Sequence, residues 1–191
     1  ADTFANTARD ICQNITLLQN VHAIDKAYIW YLNSKTFVGN STSTSNIKQY
    51  ESLEQSLQYC PEFVPSLYDK AQLLFMGNHI KDSKATIHKI LALNSSHVDA
   101  LQLAALIHVQ ENEVEPAIKC CDKVLELTFH VGALRLLAHI FRTNPDAAAA
   151  VTSPLLQNQY GSADNQAFTA MKHRLDKFND TNVEVVFFKL I

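Results

Sequence analysis

The segment VDALQLAALIHVQENEVEPAIKCCDKVLEL, from Val98 to Leu127, contains two apolar runs separated by a short polar break. From Leu101 to His108, the side chains recur at the i, i+3, i+4, i+7 spacing that is typical of an amphipathic helix. The same spacing returns after residues 111–113. We therefore predict two short helices joined by a turn. Neither helix is long enough to be stable alone in water, so each must bury its apolar side against the other.

This segment is one copy of an internal repeat. Val64–His97 aligns with Val98–Val131, and Ala71 then falls on Ala105. A third, degenerate copy covers residues 131–157 and begins one residue early. Self-similarity at a fixed period of this length is the signature of architectures in which helix pairs stack on one another.

The pattern resembles the tetratricopeptide repeat (TPR), a helix–turn–helix unit of about 34 residues. On that alignment Ala105 and Ala117 take small-residue positions at which two helix backbones approach closely. Cys121 and Val124 take later positions of the second helix, and Ser83 is the match to Ala117 in the preceding copy. The resemblance implies an all-α fold, a right-handed superhelical solenoid of roughly three to five TPR-like units.

The N-terminal flank predicts a further, partial unit. Ile47–Cys60 has the pattern of its second helix, and Ile24–Phe37 that of its first. A polar segment, residues 38–46, is predicted to be a flexible loop between them, and Ala5–Leu18 adds another amphipathic helix. These predictions divide the chain into residues 1–60, residues 61–157 with the three repeats (64–97, 98–131 and 131–157), and residues 158–191.

The C-terminal part departs from the repeat. Pro154 interrupts the second helix of the third copy, because proline removes a backbone hydrogen bond and clashes with the preceding turn. Ser162–Phe178 predicts a helix, whereas the apolar segment VEVVFFKLI, residues 183–191, has the composition of a strand. Three interpretations of this segment stay open: a buried helix, a segment that pairs with a partner, or a run cut short. Since the chain starts at Ala1, we expect a fragment or a processed form.

Charge and motifs weigh against several classes of function. The net charge is −3 and no dense run of Lys or Arg is present, so we expect neither nucleic acid nor a membrane as partner. No apolar run approaches the roughly 20 residues of a membrane span. Nucleotide-binding, metalloprotease, serine-hydrolase and calcium-loop motifs are missing from the sequence, so we predict no catalytic residues and no cofactor.

The cysteines and histidines are predicted to be structural. The four cysteines form no CxxC pair, so we interpret them as reduced thiols in a cytoplasmic or nuclear protein. Histidines spaced by nine residues, such as His79 and His88, fall on opposite sides of a helix and do not converge on one ion. Glu111, Glu113 and Glu115 are interpreted as partners of a helix dipole, and we predict no metal site.

The resemblance places the first helix of each unit on a concave groove that holds a peptide or a helix of a partner protein. Co-chaperone members clamp a C-terminal carboxylate there with Lys, Asn and Arg, but only Arg135 is suitable here, so a chaperone-tail clamp is not expected. The predicted groove residues are Tyr68, Gln72, Phe75, Met76, Gln102, Leu106, Val109, Arg135 and His139.

The resemblance therefore implies a non-enzymatic scaffold or adaptor within a larger multiprotein complex. The anaphase-promoting complex and intraflagellar-transport particles are examples of assemblies built on such repeats. Two alternatives stay open: a self-associating homodimer, and a helical enzyme or enzyme-regulatory subunit.

Overall fold

A computed structural model of the chain describes residues 2–16, 21–38 and 43–144, and these ranges contain α-helices but no β-strand. None of the helices in these ranges is long and apolar enough to cross a membrane. The helices are α1 (Asp2–Thr16), α2 (Ala23–Lys35), α3 (Ser43–Tyr59), α4 (Val64–Met76), α5 (Ile80–Leu93), α6 (Val98–Gln110), α7 (Val114–Leu127) and α8 (Val131–Thr143).

The chain divides into two compact units, Ala1–Ser95 and Ser96–Ile191. In the first unit α2 packs against α3 and α4 packs against α5, while α1 contacts α2 and α3 contacts α4. In the second unit α6 packs against α7, and α8 contacts both of these helices. Each unit is therefore built from helices that are neighbours in the sequence.

The helices from α4 to α8 begin close to where the repeat spacing places them. α4 starts at Val64 and α6 at Val98, which are the first residues of the two aligned copies, and α8 starts at Val131. The predictions for Pro154, for a helix at Ser162–Phe178 and for the apolar segment 183–191 lie outside the described residues.

The predicted loop at residues 38–46 is too long at its C-terminal end, because α3 begins at Ser43. The residues that α3 buries along its first turns are polar: Ser45, Gln49 and Ser52. The helical spacing of apolar residues therefore does not indicate where this helix begins. Serine and threonine usually favour turns over helix interiors, and here the tertiary packing overrides that preference.

The two turns that join α4 to α5 and α6 to α7 have the same backbone. Asn78 and Asn112, which occupy equivalent positions of the two copies, adopt φ values of 62° and 61°. Asparagine tolerates this left-handed region better than other non-glycine residues. In each turn the next amide closes a bond to a carbonyl five residues back, His79 N to Leu74 O and Glu113 N to His108 O, each at 2.8 Å. This is the Schellman pattern that ends a helix sharply.

Two histidines cap helices in the second unit. The Nδ1 atom of His97 accepts a hydrogen bond from the amide of Ala100 at 3.2 Å, and the Nδ1 atom of His130 accepts one from Ala133 at 3.3 Å. Each histidine satisfies an amide that the first turn of a helix leaves without a partner. His97 and His130 therefore have a structural role at the starts of α6 and α8.

One hydrogen bond occurs at the centre of both helix pairs of the first unit. The hydroxyl of Ser83 on α5 donates to the carbonyl of Ala71 on α4 at 2.8 Å. The hydroxyl of Ser56 on α3 donates to the carbonyl of Ala27 on α2 at 2.7 Å. All four residues are completely buried. Helices α2 and α3 thus cross as α4 and α5 do, although 29 residues separate Ala27 from Ser56 and only 12 separate Ala71 from Ser83.

The second unit has alanine where the first has serine. Ala105 on α6 and Ala117 on α7 match Ala71 and Ser83, and both are completely buried. Small side chains at a crossing let two helices approach until their backbones nearly touch. The crossing in the second unit therefore rests on van der Waals packing, without the additional hydrogen bond.

We predict that Ser83→Ala lowers the free energy of unfolding by about 1 kcal/mol, because it removes a buried hydrogen bond between α5 and α4. Urea unfolding followed by circular dichroism measures the change. Ser95→Ala, at an exposed serine, serves as the control and is expected to leave the stability unchanged. Equal stability of the Ser83 variant and the wild type would show that the bond does not hold the crossing.

Candidate functional site

The shared hydrogen bond identifies the equivalent positions of α2 and α4. Ala27 accepts a bond from Ser56 as Ala71 accepts one from Ser83, so Ala27 is the counterpart of Ala71. The positions of α4 predicted to face a partner are Tyr68, Gln72, Phe75 and Met76. Counted from Ala27, the corresponding positions of α2 are Ile24, Tyr28, Tyr31 and Leu32. All four residues on α2 are apolar or aromatic.

The large apolar side chains at these positions of α2 are exposed to solvent. Ile24 is 54% exposed, Tyr28 50% and Leu32 42%. On α4, Met76 is 77% exposed, and Tyr68 and Phe75 are half-buried. Exposed apolar side chains are normal when they are scattered singly, whereas a contiguous group of them marks a contact surface.

Aromatic contacts join α2 to the start of α4. The ring of Phe63, the N-cap residue of α4, lies 5.9 Å from the ring of Tyr31 and 6.3 Å from that of Tyr28. The interplanar angles are 74° and 82°, which is the edge-to-face arrangement that aromatic pairs prefer. We name this surface the aromatic face and define it by Ile24, Tyr28, Tyr31, Leu32, Phe63, Tyr68, Gln72, Phe75 and Met76.

An ion pair connects the C-terminal end of α2 to α4. The Nζ atom of Lys35 pairs with the carboxylate of Asp69, which is buried, and lies 4.8 Å from the centre of the Tyr31 ring. Partial burial lowers the pKa of Lys35, but the hydrogen bonds and charges of Asp69 and Tyr31 outweigh it and raise the pKa above its ordinary value. Lys35 therefore stays charged and neutralises Asp69 at the edge of the aromatic face.

The nine predicted groove residues divide between the two units. Tyr68, Gln72, Phe75 and Met76 lie on α4 in the first unit, as part of the aromatic face. In the second unit the half-buried residues are Gln102, Leu106 and Val109 on α6, and the exposed residues are Arg135 and His139 on α8. None of the nine is buried, so each reaches the surface of its own unit.

Gln102 has a structural contact that the sequence does not predict. Its side chain lies against Gly132 at the start of α8, where a methyl group added to the glycine would come within 2.0 Å of Nε2 and 2.9 Å of Cδ. The Oε1 atom of Gln102 is buried and has no hydrogen-bond partner among the described residues. Gln102 thus fills the contact between α6 and α8, and less of it is available to a partner.

The residues on α2 are the part of the site that sequence reasoning missed. The signal is present, because Ile24, Tyr28 and Leu32 follow one another at i, i+4 and i+8 on one side of the helix. The equivalence of α2 and α4 is difficult to recognise in the sequence, because the connection between α2 and α3 is long. Ala27 and Ser56 are 29 residues apart, whereas Ala71 and Ser83 are 12 residues apart.

The environments of Cys12 and Cys120 do not favour a reactive thiolate. Burial raises the pKa of the Cys120 thiol, and the nearby charge of Lys123 lowers it by less. Burial also raises the pKa of Cys12. Since the thiolate is the nucleophile, a raised pKa makes these two thiols less reactive near neutral pH.

Comparison with known proteins gives a likeness in fold. No protein-family profile matches the sequence, and no curated protein matches it. Among solved structures, the chain is similar to the "MamA RS-1 ArsTM double mutant", with a TM-score of 0.65 and 13% identity over 93% of this chain and 88% of that one. It is also similar to MamA from residue 41 to the end from Desulfovibrio magneticus RS-1, with a TM-score of 0.59 and 13% identity over 92% of this chain and 97% of that one.

MamA is an all-helical, TPR-like protein. The likeness confirms the predicted fold class: the described residues form an all-α arrangement of TPR-like helix pairs, the fold of a helical solenoid. At 13% identity the likeness concerns the fold alone.

We predict that Gly132→Ala destabilises the chain by about 1 kcal/mol, because the new methyl group must displace Gln102. In a Gln102→Ala background, Gly132→Ala is expected to stabilise the chain by about 0.5 kcal/mol, since alanine has a higher helix propensity than glycine. A double-mutant cycle measured by urea unfolding compares the two. Additive effects would contradict the close approach of α6 and α8 at this point.

We predict that Lys35→Met destabilises the chain near neutral pH, because it leaves the buried carboxylate of Asp69 without a counter-charge. The pKa of Lys35 is raised by folding, so its contribution is complete below the ordinary lysine pKa and disappears as the pH rises through the folded-state pKa. The difference in unfolding free energy between wild type and variant should therefore shrink in alkaline solution. A difference that stays constant with pH would show that the effect arises from packing alone.

Proposed function

We propose that this protein is a non-enzymatic scaffold or adaptor that binds a segment of a partner protein on the aromatic face. The observation that carries the proposal is the exposure of Ile24, Tyr28 and Leu32 along α2, beside the aromatic cluster at the start of α4. A TPR-like fold supports it, because stacked helix pairs offer extended surfaces for binding other chains.

The side chains of this face are of the kinds that contribute most to binding energy. Tyrosine is enriched among residues whose truncation weakens protein complexes strongly. An aromatic side chain also loses little conformational entropy on binding, since it has only two χ angles. Met76 adds a flexible and polarizable side chain that adapts to the shape of a partner.

A helix is the partner shape that the face favours. Ile24, Tyr28 and Leu32 are spaced by one helical turn each, so their row is about 12 Å long. An amphipathic helix can lay an i, i+4 row of apolar side chains along such a stripe. Because Lys35 and Asp69 neutralise each other, the edge of the face that they occupy adds little net charge and favours an apolar stripe.

We further infer that the chain acts as a subunit of a larger cytoplasmic assembly. The aromatic face supports this, since a contiguous group of exposed apolar side chains is typical of a surface that another chain covers.

The proposal predicts that Tyr28→Ala combined with Leu32→Ser weakens partner binding by about tenfold or more, because two apolar contacts are lost. A photo-crosslinking amino acid placed at Tyr28 first identifies the partner, and binding to that purified partner is then measured by calorimetry. Both side chains are half exposed, so the helical circular-dichroism signal is expected to stay at the wild-type level, whereas loss of the ring contact between Tyr28 and Phe63 lowers the unfolding midpoint slightly.

Ile47→Ser is the matched control, because Ile47 is 58% exposed and lies on α3 of the same unit, outside the aromatic face. Unchanged affinity in this control, with loss in the double variant, supports the aromatic face. Equal losses in both, or no loss in the double variant, would refute it. A crosslink to a second copy of the chain, together with a dimer in light scattering, would replace the scaffold proposal with self-association.

A further inference from the structure

The three carboxylates near the α6–α7 turn have different partners in the structure. Glu115 lies on α7 and pairs with Lys119 at 2.6 Å, which lowers the pKa of its carboxyl group. Glu111 and Glu113 instead converge with His108, and one ligand atom from each of the three lies within 4.8 Å of the others. The interpretation of all three carboxylates as partners of a helix dipole is therefore incomplete.

The backbone of the turn holds these side chains together. His108 is in the last turn of α6, Glu111 is the C-cap residue of α6, and Glu113 is the N-cap residue of α7. The left-handed Asn112 and the hydrogen bond from Glu113 N to His108 O, 2.8 Å long, fix the path of the chain between them. Nδ1 of His108 lies 2.6 Å from a carboxylate oxygen of Glu113.

The chemistry of the set matches a transition-metal site. One imidazole nitrogen and two carboxylate oxygens are a ligand combination that Zn²⁺ takes, with bonds of about 2.0–2.2 Å and water in the fourth position. Tetrahedral ligands at those bond lengths lie about 3.3 Å apart. Glu111 and Glu113 are exposed, so small rotations of their side chains close the remaining distance.

We propose that His108, Glu111 and Glu113 form a binding site for a divalent transition metal, for which Zn²⁺ is the probe. The metal would bind Nδ1 of His108 and the carboxylate oxygen of Glu113 that lies beside it. Because the ligands come from the end of α6 and the start of α7, the ion clips this helix pair together.

The three ligand residues occur in the turn of one repeat copy and are not required by the repeat pattern. The α4–α5 turn has the same backbone, but its residues at the equivalent positions are Leu74, Gly77 and His79. That turn lacks two of the three ligands, although its fold is the same. The turn can therefore form without these three ligands, and their presence in the second unit is not explained by the fold.

Titration of chelator-treated full-length chain with ZnCl₂ in a calorimeter tests the proposal. The decisive variant is Glu111→Gln, which removes one ligand and leaves the contact between His108 and Glu113 in place. Glu115→Gln is the matched control, because Glu115 is a nearby exposed carboxylate outside the set. Histidines and cysteines elsewhere in the chain are potential zinc ligands, so the result is read from the difference between the variants.

We expect the wild type and Glu115→Gln to bind one ion with the same affinity and to gain thermal stability from it. Glu111→Gln and His108→Asn should bind that ion at least tenfold more weakly, as loss of a direct ligand requires, and Glu111→Gln should keep the wild-type circular-dichroism signal without metal. Equal affinity of Glu111→Gln and the wild type would place the bound zinc elsewhere and overturn the proposal. Absence of binding at millimolar zinc would overturn it as well.

Discussion

The close crossing of two helices at a pair of small residues is the contact on which the rest of this structure depends. In the first unit a serine hydroxyl spans each crossing and donates to the carbonyl of a buried alanine, from Ser56 to Ala27 and from Ser83 to Ala71. In the second unit Ala105 and Ala117 bring the helices together without that bond. A larger side chain at any of these positions would push the helices apart, because a well-packed core has no room for it.

The same contact determines which side chains reach the surface. Once Ala27 and Ala71 are buried at their crossings, the helical period leaves Tyr28 and Gln72, one residue further along, on the outer side of α2 and α4. The aromatic face thus follows from the core. Its rings are held by Phe63 at the start of α4 and its edge by the pair of Lys35 and Asp69, so the face is organised before any partner arrives. A surface organised in advance loses less conformational entropy on binding.

The sequence predicts the helices best where local spacing is regular. The repeat period places α4, α6 and their turns, because apolar and small residues recur there at fixed distances. It fails at the start of α3, where buried Ser45 and Gln49 carry no hydrophobic signal.

The sites are harder to predict, because they depend on contacts between segments. The contribution of Tyr28 to the aromatic face depends on matching Ala27 with Ala71 across a connection of irregular length. The convergence of Glu111 on His108 depends on a left-handed residue between two helices, and the spacing of acidic residues alone does not reveal it.

Hydrogen–deuterium exchange of the chain, free and bound to its partner, tests the central claim most directly. Bound partner should slow exchange in the peptides that cover α2 and α4, because these helices form the aromatic face, while α3 and α5 keep their free-state rates. Protection confined to α3 and α5, or to helices of the second unit, would contradict the account and place the binding surface elsewhere.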